Sequence, residues 1–194
     1  MKLILASQSP RRKQILSRLN VPFTVIVSNI DEAIFTCDGT PADYAQKLAS
    51  VKCKNVSEKY IDYLVVGADT IVILNNKIMG KPVDKQDATN MLKTLSGNTH
   101  QVITAVSIQC AKKNISHTFY ECTAVSFRQI PKTYISTYVN SESPYDKAGS
   151  YGIQDWSTIF VEKINGCYDN VVGFPLSRFV FELKKNGINL NEIS

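Results

Sequence analysis

The order of apolar and polar residues alternates between strand-like and helix-like segments along most of the chain. Continuous apolar runs at 3–6 and 64–74 have the composition of buried strands. Other segments space their apolar residues as a helix does, and Ser9-Pro10, Thr40-Pro41 and Asp84 provide helix start signals. Strands interleaved with helices in this way predict an α/β fold.

The later segments complete this picture. The second helix is predicted to run from Pro41 to about residue 59, and the third to end at Gly97. Strands at 102–110 and 115–127, joined by a turn at 111–114, predict a hairpin that argues against a purely parallel sheet. We also expect a helix over 131–139, a loop over 141–154, a strand over 158–164 and a helix over 175–185.

No linker-like stretch divides the chain, so residues 1–194 are expected to form one domain with two lobes. The 194 residues are 44% hydrophobic, which suffices for a full core. The net charge of +5 is mild and its basic residues are scattered outside 11–13, so no polynucleotide partner is expected. No apolar run reaches membrane-spanning or signal-peptide length, which predicts no membrane association.

The number and spacing of the cysteines indicate in which cellular compartment the protein is expected. There are five, at wide spacings and without a Cys-x-x-Cys pair, and the chain has two histidines. This pattern argues against a zinc site and a disulfide framework. It favours reduced thiols and therefore a cytoplasmic location.

Several charged residues lie where their predicted surroundings disfavour them. Arg11 and Arg12 begin a helix, whose start is already partly positive. They form either a solvated helix face or an anion site, in which guanidinium groups add hydrogen bonds to a phosphate. Lys52 shares the apolar face of the second helix with Leu48 and Val56, so it either extends to the helix edge or meets an anion.

Asp69 lies in the middle of the apolar run 64–74. A carboxylate there is costly unless it is paired, hydrogen-bonded or bound to a metal. Gly67 leaves room for another chain segment to approach, and strand alternation places Thr70 on the opposite face from Asp69. The position therefore indicates either a capped structural aspartate or a basic or metal-binding one.

Two further segments add polar groups. The loop DKAGSYGIQ at 146–154 offers Gln154 among glycines that permit close approach to a ligand, although an ordinary surface loop remains an alternative. Gly80-Lys81-Pro82 is predicted to be a tight turn, and Lys81 adds a cation there. If these groups converge, Arg11, Arg12, Lys52 and Lys81 would neutralise a polyphosphate while Asp69 and Glu32 hold a divalent cation. No P-loop, dinucleotide fingerprint or nucleophile elbow is present.

A set of short motifs extends over nearly the whole chain. They are LASQSPRR at 5–12, DE at 31–32, GADTIV at 67–72, GKP at 80–82, LSGNTHQVITAV at 95–106, SFR at 126–128, DKAGSYGIQ at 146–154 and INGCYDNVVGFPL at 164–176. In this order and spacing the chain resembles the Maf family of nucleotide pyrophosphatases. The resemblance implies an elongated mixed β-sheet flanked by helices, with two lobes, a central cleft and a likeness to inosine triphosphatases, in a homodimer.

The resemblance also implies an activity: hydrolysis of a nucleoside triphosphate to its monophosphate and pyrophosphate, with Mg²⁺ or Mn²⁺. Asp69 matches the catalytic general base, and Glu32 matches an acidic residue that aids the metal. Positions associated with substrate choice are Arg11, Thr70 and Gln154. Cations near the triphosphate are Arg12, Lys52 and Lys81.

The motifs are similar to the branch of the family that acts on dTTP, UTP and modified pyrimidine nucleotides. The branch that prefers 7-methyl-GTP carries a tryptophan after Ser-Pro, where this chain has Arg11. Trp156 departs from the family pattern, in which glycines are common after the glutamine. An alternative is a nucleotide-sensing regulatory protein linked to septum formation and cell-division arrest, which would need the cations but not Asp69. A third is an RNA-binding module, with steep salt dependence.

Overall fold

The computed structural model describes residues 1–193, with the side chain of Ala33 left out. Ser194, the last residue of the predicted domain, lies outside the described residues. The strands are β1 (Leu3–Ala6), β2 (Phe23–Val25), β3 (Leu64–Leu74), β4 (Lys77–Met79), β5 (Thr99–Cys110), β6 (Ile115–Phe127) and β7 (Val161–Asn165). The α-helices are α1 (Pro10–Ser17), α2 (Pro41–Ser57), α3 (Lys85–Leu95), α4 (Lys132–Val139), α5 (Tyr168–Val172) and α6 (Leu176–Lys185). Short 3₁₀-helices cover Glu32–Ile34, Ser143–Asp146, Ala148–Ser150, Trp156–Phe160 and Leu190–Glu192.

Within residues 1–193, the seven strands form one mixed sheet in the order β2-β1-β3-β5-β6-β7, with β4 paired to β3. β1 is parallel to both β2 and β3. β4 is antiparallel to β3, and β7 is antiparallel to β6. The predicted α/β fold with a mixed sheet flanked by helices is confirmed. No helix in this part of the chain is both long and apolar enough to cross a bilayer.

Most predicted boundaries agree with the structure, but two strands begin elsewhere. The strand predicted at 102–110 begins earlier, at Thr99. β1, β3 and β6 begin and end at the predicted residues. The strand predicted at 158–164 begins only at Val161, because Trp156–Phe160 form a 3₁₀-helix. The Asp155 side chain accepts a hydrogen bond from the Ser157 N–H and caps that helix. This local cap overrides the strand preference of the residues that follow it.

Two short elements were not predicted: β2, which has three residues, and α5, which has five. Segments this short contain too few residues to display a hydrophobic period.

The chain divides into two compact units. The first contains residues 1–69, 104–121 and the described residues from 173 onward, and the second contains 70–103 and 122–172. β3, β5 and β6 contribute residues to both. That the whole chain acts as a single domain stays a prediction.

In the first unit, helix α2 packs closely on strand β3. Cys53 and Val56 of the helix share an apolar cluster with Val65 of the strand and with Ile4. Gly67 makes this approach possible, because a Cβ atom there would lie 2.7 Å from the Ala49 carbonyl oxygen. A β-carbon at this position would therefore push the helix away from the strand.

The core of the second unit contains a buried histidine. The His100 ring makes edge contacts with Phe127 and Tyr151, at centroid distances of 4.8 and 5.3 Å. Its Nε2 lies 2.7 Å from the Tyr151 hydroxyl. Its Nδ1 is the one buried side-chain nitrogen or oxygen in the described chain without a hydrogen-bond partner. Burial lowers the pKa of His100 to about 4, so the ring is neutral in the folded protein near pH 7.

Substituting Gly67 by alanine is expected to destabilise the protein by about 1–3 kcal/mol, because the new methyl group meets backbone atoms that cannot move independently. Urea unfolding measures the change. Gly80→Ala is the matched control, since a Cβ there meets nothing within 4 Å. An equal loss of stability in both variants would contradict the packing argument.

Lowering the pH should weaken the fold through His100. Between about pH 6.5 and pH 4 the unfolded histidine binds a proton that the buried ring does not, so the free energy of unfolding falls as the pH decreases. The contribution amounts to roughly 3 kcal/mol. Urea unfolding at pH 7 and pH 4.5 should show a smaller loss in His100→Phe than in the wild type. The same loss in both proteins would exclude this group as the cause.

Candidate functional site

An ammonium group lies between two carboxylates in the first unit. Lys52 Nζ donates to Asp69 Oδ1 at 2.6 Å and lies 3.0 Å from Glu32 Oε1. The Asp69 and Lys52 side chains are 9% and 11% exposed, whereas that of Glu32 is 51% exposed. We call these three residues the carboxylate–lysine group. It is buried on the Asp69 side and open to solvent on the Glu32 side.

The helix geometry explains why Lys52 meets Asp69. The start of α2 is fixed by a capping box, in which Thr40 and Asp43 exchange hydrogen bonds. Lys52 lies on the buried face of this helix with Leu48 and Val56, so its stem cannot leave the core. Of the possibilities left open by the sequence, the structure therefore shows the one in which Lys52 and Asp69 form an ion pair.

Arg12 is bound to the backbone beside this group. Its Nε donates to the carbonyl of Gly173 and its Nη1 to the carbonyl of Ala68, each at 2.9 Å. Nη1 also donates to Ser7 Oγ at 3.3 Å. Ala68 directly precedes Asp69, so Arg12 holds the strand at the point where the carboxylate leaves it.

The charges around Arg12 act in opposite directions. Burial lowers the pKa of its guanidinium, and the negative charge of Asp69 opposes this shift. The positive charge of Arg11 lowers the pKa of Arg12 further, whereas the negative charge of Glu32 raises it. Arg12 therefore lies within electrostatic reach of Arg11 and of both carboxylates. The first turn of α1 holds the two arginines, and its cap Ser9 accepts a hydrogen bond from the Arg12 N–H.

The sequence-predicted site residues are distributed over both units. Those in the first unit are Arg11, Arg12, Glu32, Lys52 and Asp69. Thr70, Lys81 and Gln154 belong to the second unit. Thr70 is half-buried directly after Asp69, and Lys81 and Gln154 are exposed.

The family model described as Maf-like protein matches residues 2–186. This chain belongs to the Maf family.

Its curated relatives cover nearly the whole chain. A protein of Bacillus cereus named dTTP/UTP pyrophosphatase is 47% identical over 189 residues, covering 97% of each chain. Proteins of the same name from Clostridium botulinum and Bacillus anthracis are 46% and 48% identical, covering 97% of this chain and 98% and 97% of theirs. Among solved structures, a HAM1 protein from Coxiella burnetii has a TM-score of 0.48 and 11% identity, covering 68% of this Maf family member and 75% of that chain.

One residue near the carboxylate–lysine group was not predicted. Tyr44 lies on α2, eight residues before Lys52, so it shares the same helix face. Burial raises the pKa of Tyr44, and the negative charges of Asp69 and Glu32 raise it further. The helical spacing 44, 48, 52 is the signal in the sequence that could have identified it.

The donor set suits a divalent cation that arrives with a phosphate. Asp69 and Glu32 direct oxygen atoms at a single cationic centre, the Lys52 ammonium. Among residues 1–193, no three His, Cys, Asp or Glu side chains cluster as a metal site. Mg²⁺ commonly binds through one or two carboxylates together with substrate phosphates and water. The two carboxylates therefore fit such an ion in this Maf family member.

Replacing Arg12 by lysine should destabilise the protein by about 1–3 kcal/mol, because an ammonium cannot reach both backbone carbonyls at once. Urea unfolding measures the loss. Arg128→Lys serves as control, since the Arg128 side chain is 62% exposed and forms a surface ion pair with Glu162. We expect a change within about 0.5 kcal/mol there. Comparable losses of stability in both variants would contradict the inference that Arg12 stabilises the fold by binding the two backbone carbonyls.

Proposed function

We propose that this Maf family member hydrolyses dTTP and UTP to the monophosphate and pyrophosphate. The observation that carries the proposal is the nearly buried Asp69 carboxylate, held by Lys52 with Arg12 close by. Hydrolysis of a phosphoanhydride needs a base for water and positive charge for the phosphates, and these residues offer both. The relatives named dTTP/UTP pyrophosphatase support the same activity.

In the proposed reaction, Asp69 acts as the general base. Its carboxylate accepts a proton from a water molecule, whose oxygen forms a bond to the α-phosphorus. The bond between the α-phosphorus and the bridging oxygen breaks, and pyrophosphate leaves with the electron pair. Arg12 holds the backbone at Ala68, which keeps the carboxylate in place during this step.

The cations are proposed to neutralise the triphosphate. Lys52 is within reach of any phosphate oxygen that approaches Asp69 from the solvent-exposed side of the group. Arg11, Arg12 and Lys81 are proposed to contribute the remaining positive charge. Fixed cations stabilise the charge that develops on the leaving pyrophosphate.

Asp69 and Glu32 are proposed to hold a divalent cation, Mg²⁺ or Mn²⁺. Such an ion polarises phosphoryl oxygens when it is bound. The assignment is supported by the convergence of one oxygen from each carboxylate on a common centre.

Substrate choice is proposed to rest on Arg11, Thr70 and Gln154. The amide of Gln154 offers both a donor and an acceptor, which suits the O4 and N3 edge of a pyrimidine. A modified pyrimidine nucleotide that keeps that edge would be recognised in the same way, so the enzyme would also remove it from the nucleotide pool.

We further propose that the two units act as one domain in a cytoplasmic homodimer, with neither a polynucleotide nor a membrane as partner. The cysteines of the described chain are free thiols, as in a reducing compartment. The relatives' names favour an enzyme over the alternative of a nucleotide-sensing regulatory protein.

A product assay tests the proposal. The purified protein is incubated with dTTP, UTP, CTP, GTP and 7-methyl-GTP, with Mg²⁺ or Mn²⁺, and the products are separated by chromatography. We expect monophosphate and pyrophosphate, formed fastest from dTTP and UTP. Asp69→Asn should lower kcat by about 10²- to 10⁴-fold, because the base is lost.

Asp62→Asn is the matched control, since Asp62 forms an ion pair with Lys112 at the surface of the same unit. Its turnover should equal that of the wild type. Near-normal turnover by Asp69→Asn would contradict the assignment of the base. Tight nucleotide binding by a folded wild-type protein that releases no pyrophosphate would favour the nucleotide-sensing alternative.

A further inference from the structure

The segment that carries Gln154 is a closed turn. The Asp155 N–H donates to the Gly152 carbonyl at 3.2 Å, so Ile153 and Gln154 are its two central residues. Ile153 is buried and Gln154 is exposed. The turn therefore anchors one central side chain in the protein and presents the other to solvent.

The Asp155 carboxylate joins this turn to Ser157, to Lys147 and to Tyr138, whose hydroxyl lies 3.4 Å from each carboxylate oxygen. It accepts hydrogen bonds from the Ser157 N–H at 3.2 Å and from the Ser157 hydroxyl at 2.5 Å. It also lies 3.2 Å from Lys147 Nζ, whose side chain is 12% exposed. These contacts fix the last residue of the turn to the 3₁₀-helix after it and to the loop before it.

Ser157 closes the arrangement from the other end. Its buried hydroxyl oxygen accepts a hydrogen bond from the Gly152 N–H at 3.0 Å. It also lies 3.1 Å from the Tyr138 hydroxyl of α4. Both ends of the turn, Gly152 and Asp155, are therefore bound to one buried side chain.

Aromatic packing holds the residues that follow the turn. The Trp156 ring stacks on Tyr138 at a centroid distance of 6.0 Å and meets the edge of Phe160 at 5.6 Å. Trp156 and Asp155 are adjacent, so this packing fixes the chain on the far side of the carboxylate. Gln154 thus projects from a backbone that is held on both sides.

We propose that Asp155 is a positioning residue for substrate choice: it locks the turn so that the Gln154 amide is presented to the nucleotide base in one orientation. The inference rests on the proposed function, in which Gln154 contacts a pyrimidine. A side chain on a locked backbone loses less conformational entropy when it binds than one on a mobile loop. By fixing the turn, Asp155 therefore strengthens substrate binding without taking part in the chemistry.

Such a role predicts a particular kinetic pattern. The base of the nucleotide does not react, so loosening the turn should weaken ground-state and transition-state binding equally. KM for dTTP should rise while kcat stays constant. A general loss of structure would instead lower kcat as well.

The test is a double-mutant cycle with dTTP on Asp155→Ala, which removes the acceptor oxygens, on Gln154→Ala and on the double variant. We expect Asp155→Ala to raise KM about tenfold and to change kcat less than about twofold. In the Gln154→Ala background, the same change should raise KM less than about twofold, because the residue that benefits from the lock is gone. Glu162→Gln, at a surface ion pair of the same unit, should change neither constant.

Two outcomes would overturn the proposal: an unchanged KM in Asp155→Ala, or an equal rise of KM with and without Gln154. Ser157→Ala removes the hydroxyl that binds both Gly152 and Asp155 and should give the same pattern. It serves as the test variant if Asp155→Ala does not fold.

Amide hydrogen exchange separates this proposal from the proposed function, because it needs no turnover. The N–H of residue 155 should exchange at least about tenfold faster in Asp155→Ala than in the wild type. An unchanged exchange rate would contradict the proposal that the Asp155 side chain holds the turn in place. Absence of dTMP with the wild-type protein would overturn the proposed function, and the exchange rate would still decide whether Asp155 holds the turn.

Discussion

A carboxylate in the middle of an apolar strand requires a partner of opposite charge, and Lys52 provides it for Asp69 at 2.6 Å. Several other features make this contact possible. Gly67 lets helix α2 approach strand β3, and the capping box of Thr40 and Asp43 fixes where the helix begins. Arg12 holds the strand at Ala68, next to the carboxylate. The ion pair therefore depends on elements that are distant in the sequence but adjacent in the first unit.

This arrangement brings together groups that the proposed chemistry needs. The base, Asp69, and a second carboxylate, Glu32, lie within hydrogen-bonding distance of one cation, the Lys52 ammonium. Charges that the fold holds in place need little reorganisation during a reaction. Such preorganised charges are a main source of transition-state stabilisation in enzymes. The turn around Gln154 extends the same principle to the proposed recognition of the base.

The sequence predicts the parts of this structure that have local signals. The apolar run 64–74 identifies β3 and marks Asp69 as unusual, and helical spacing identifies the buried face on which Lys52 lies. Arg12 shows the limit of such reasoning, because one of its acceptors is the carbonyl of Gly173, 161 residues away. Every residue type has a backbone carbonyl, so the sequence does not indicate which carbonyl accepts a hydrogen bond from Arg12. Asp155 shows a second limit, since a single side-chain cap replaced the first half of the predicted strand at 158–164 with a 3₁₀-helix.

The central claim is that water attacks the α-phosphorus of the nucleotide at the carboxylate–lysine group. Hydrolysis of dTTP in water enriched in ¹⁸O, followed by mass spectrometry of both products, tests it most directly. The account predicts that the label enters dTMP and that pyrophosphate carries none. Label in pyrophosphate would mean attack at the β-phosphorus and would contradict the proposed reaction.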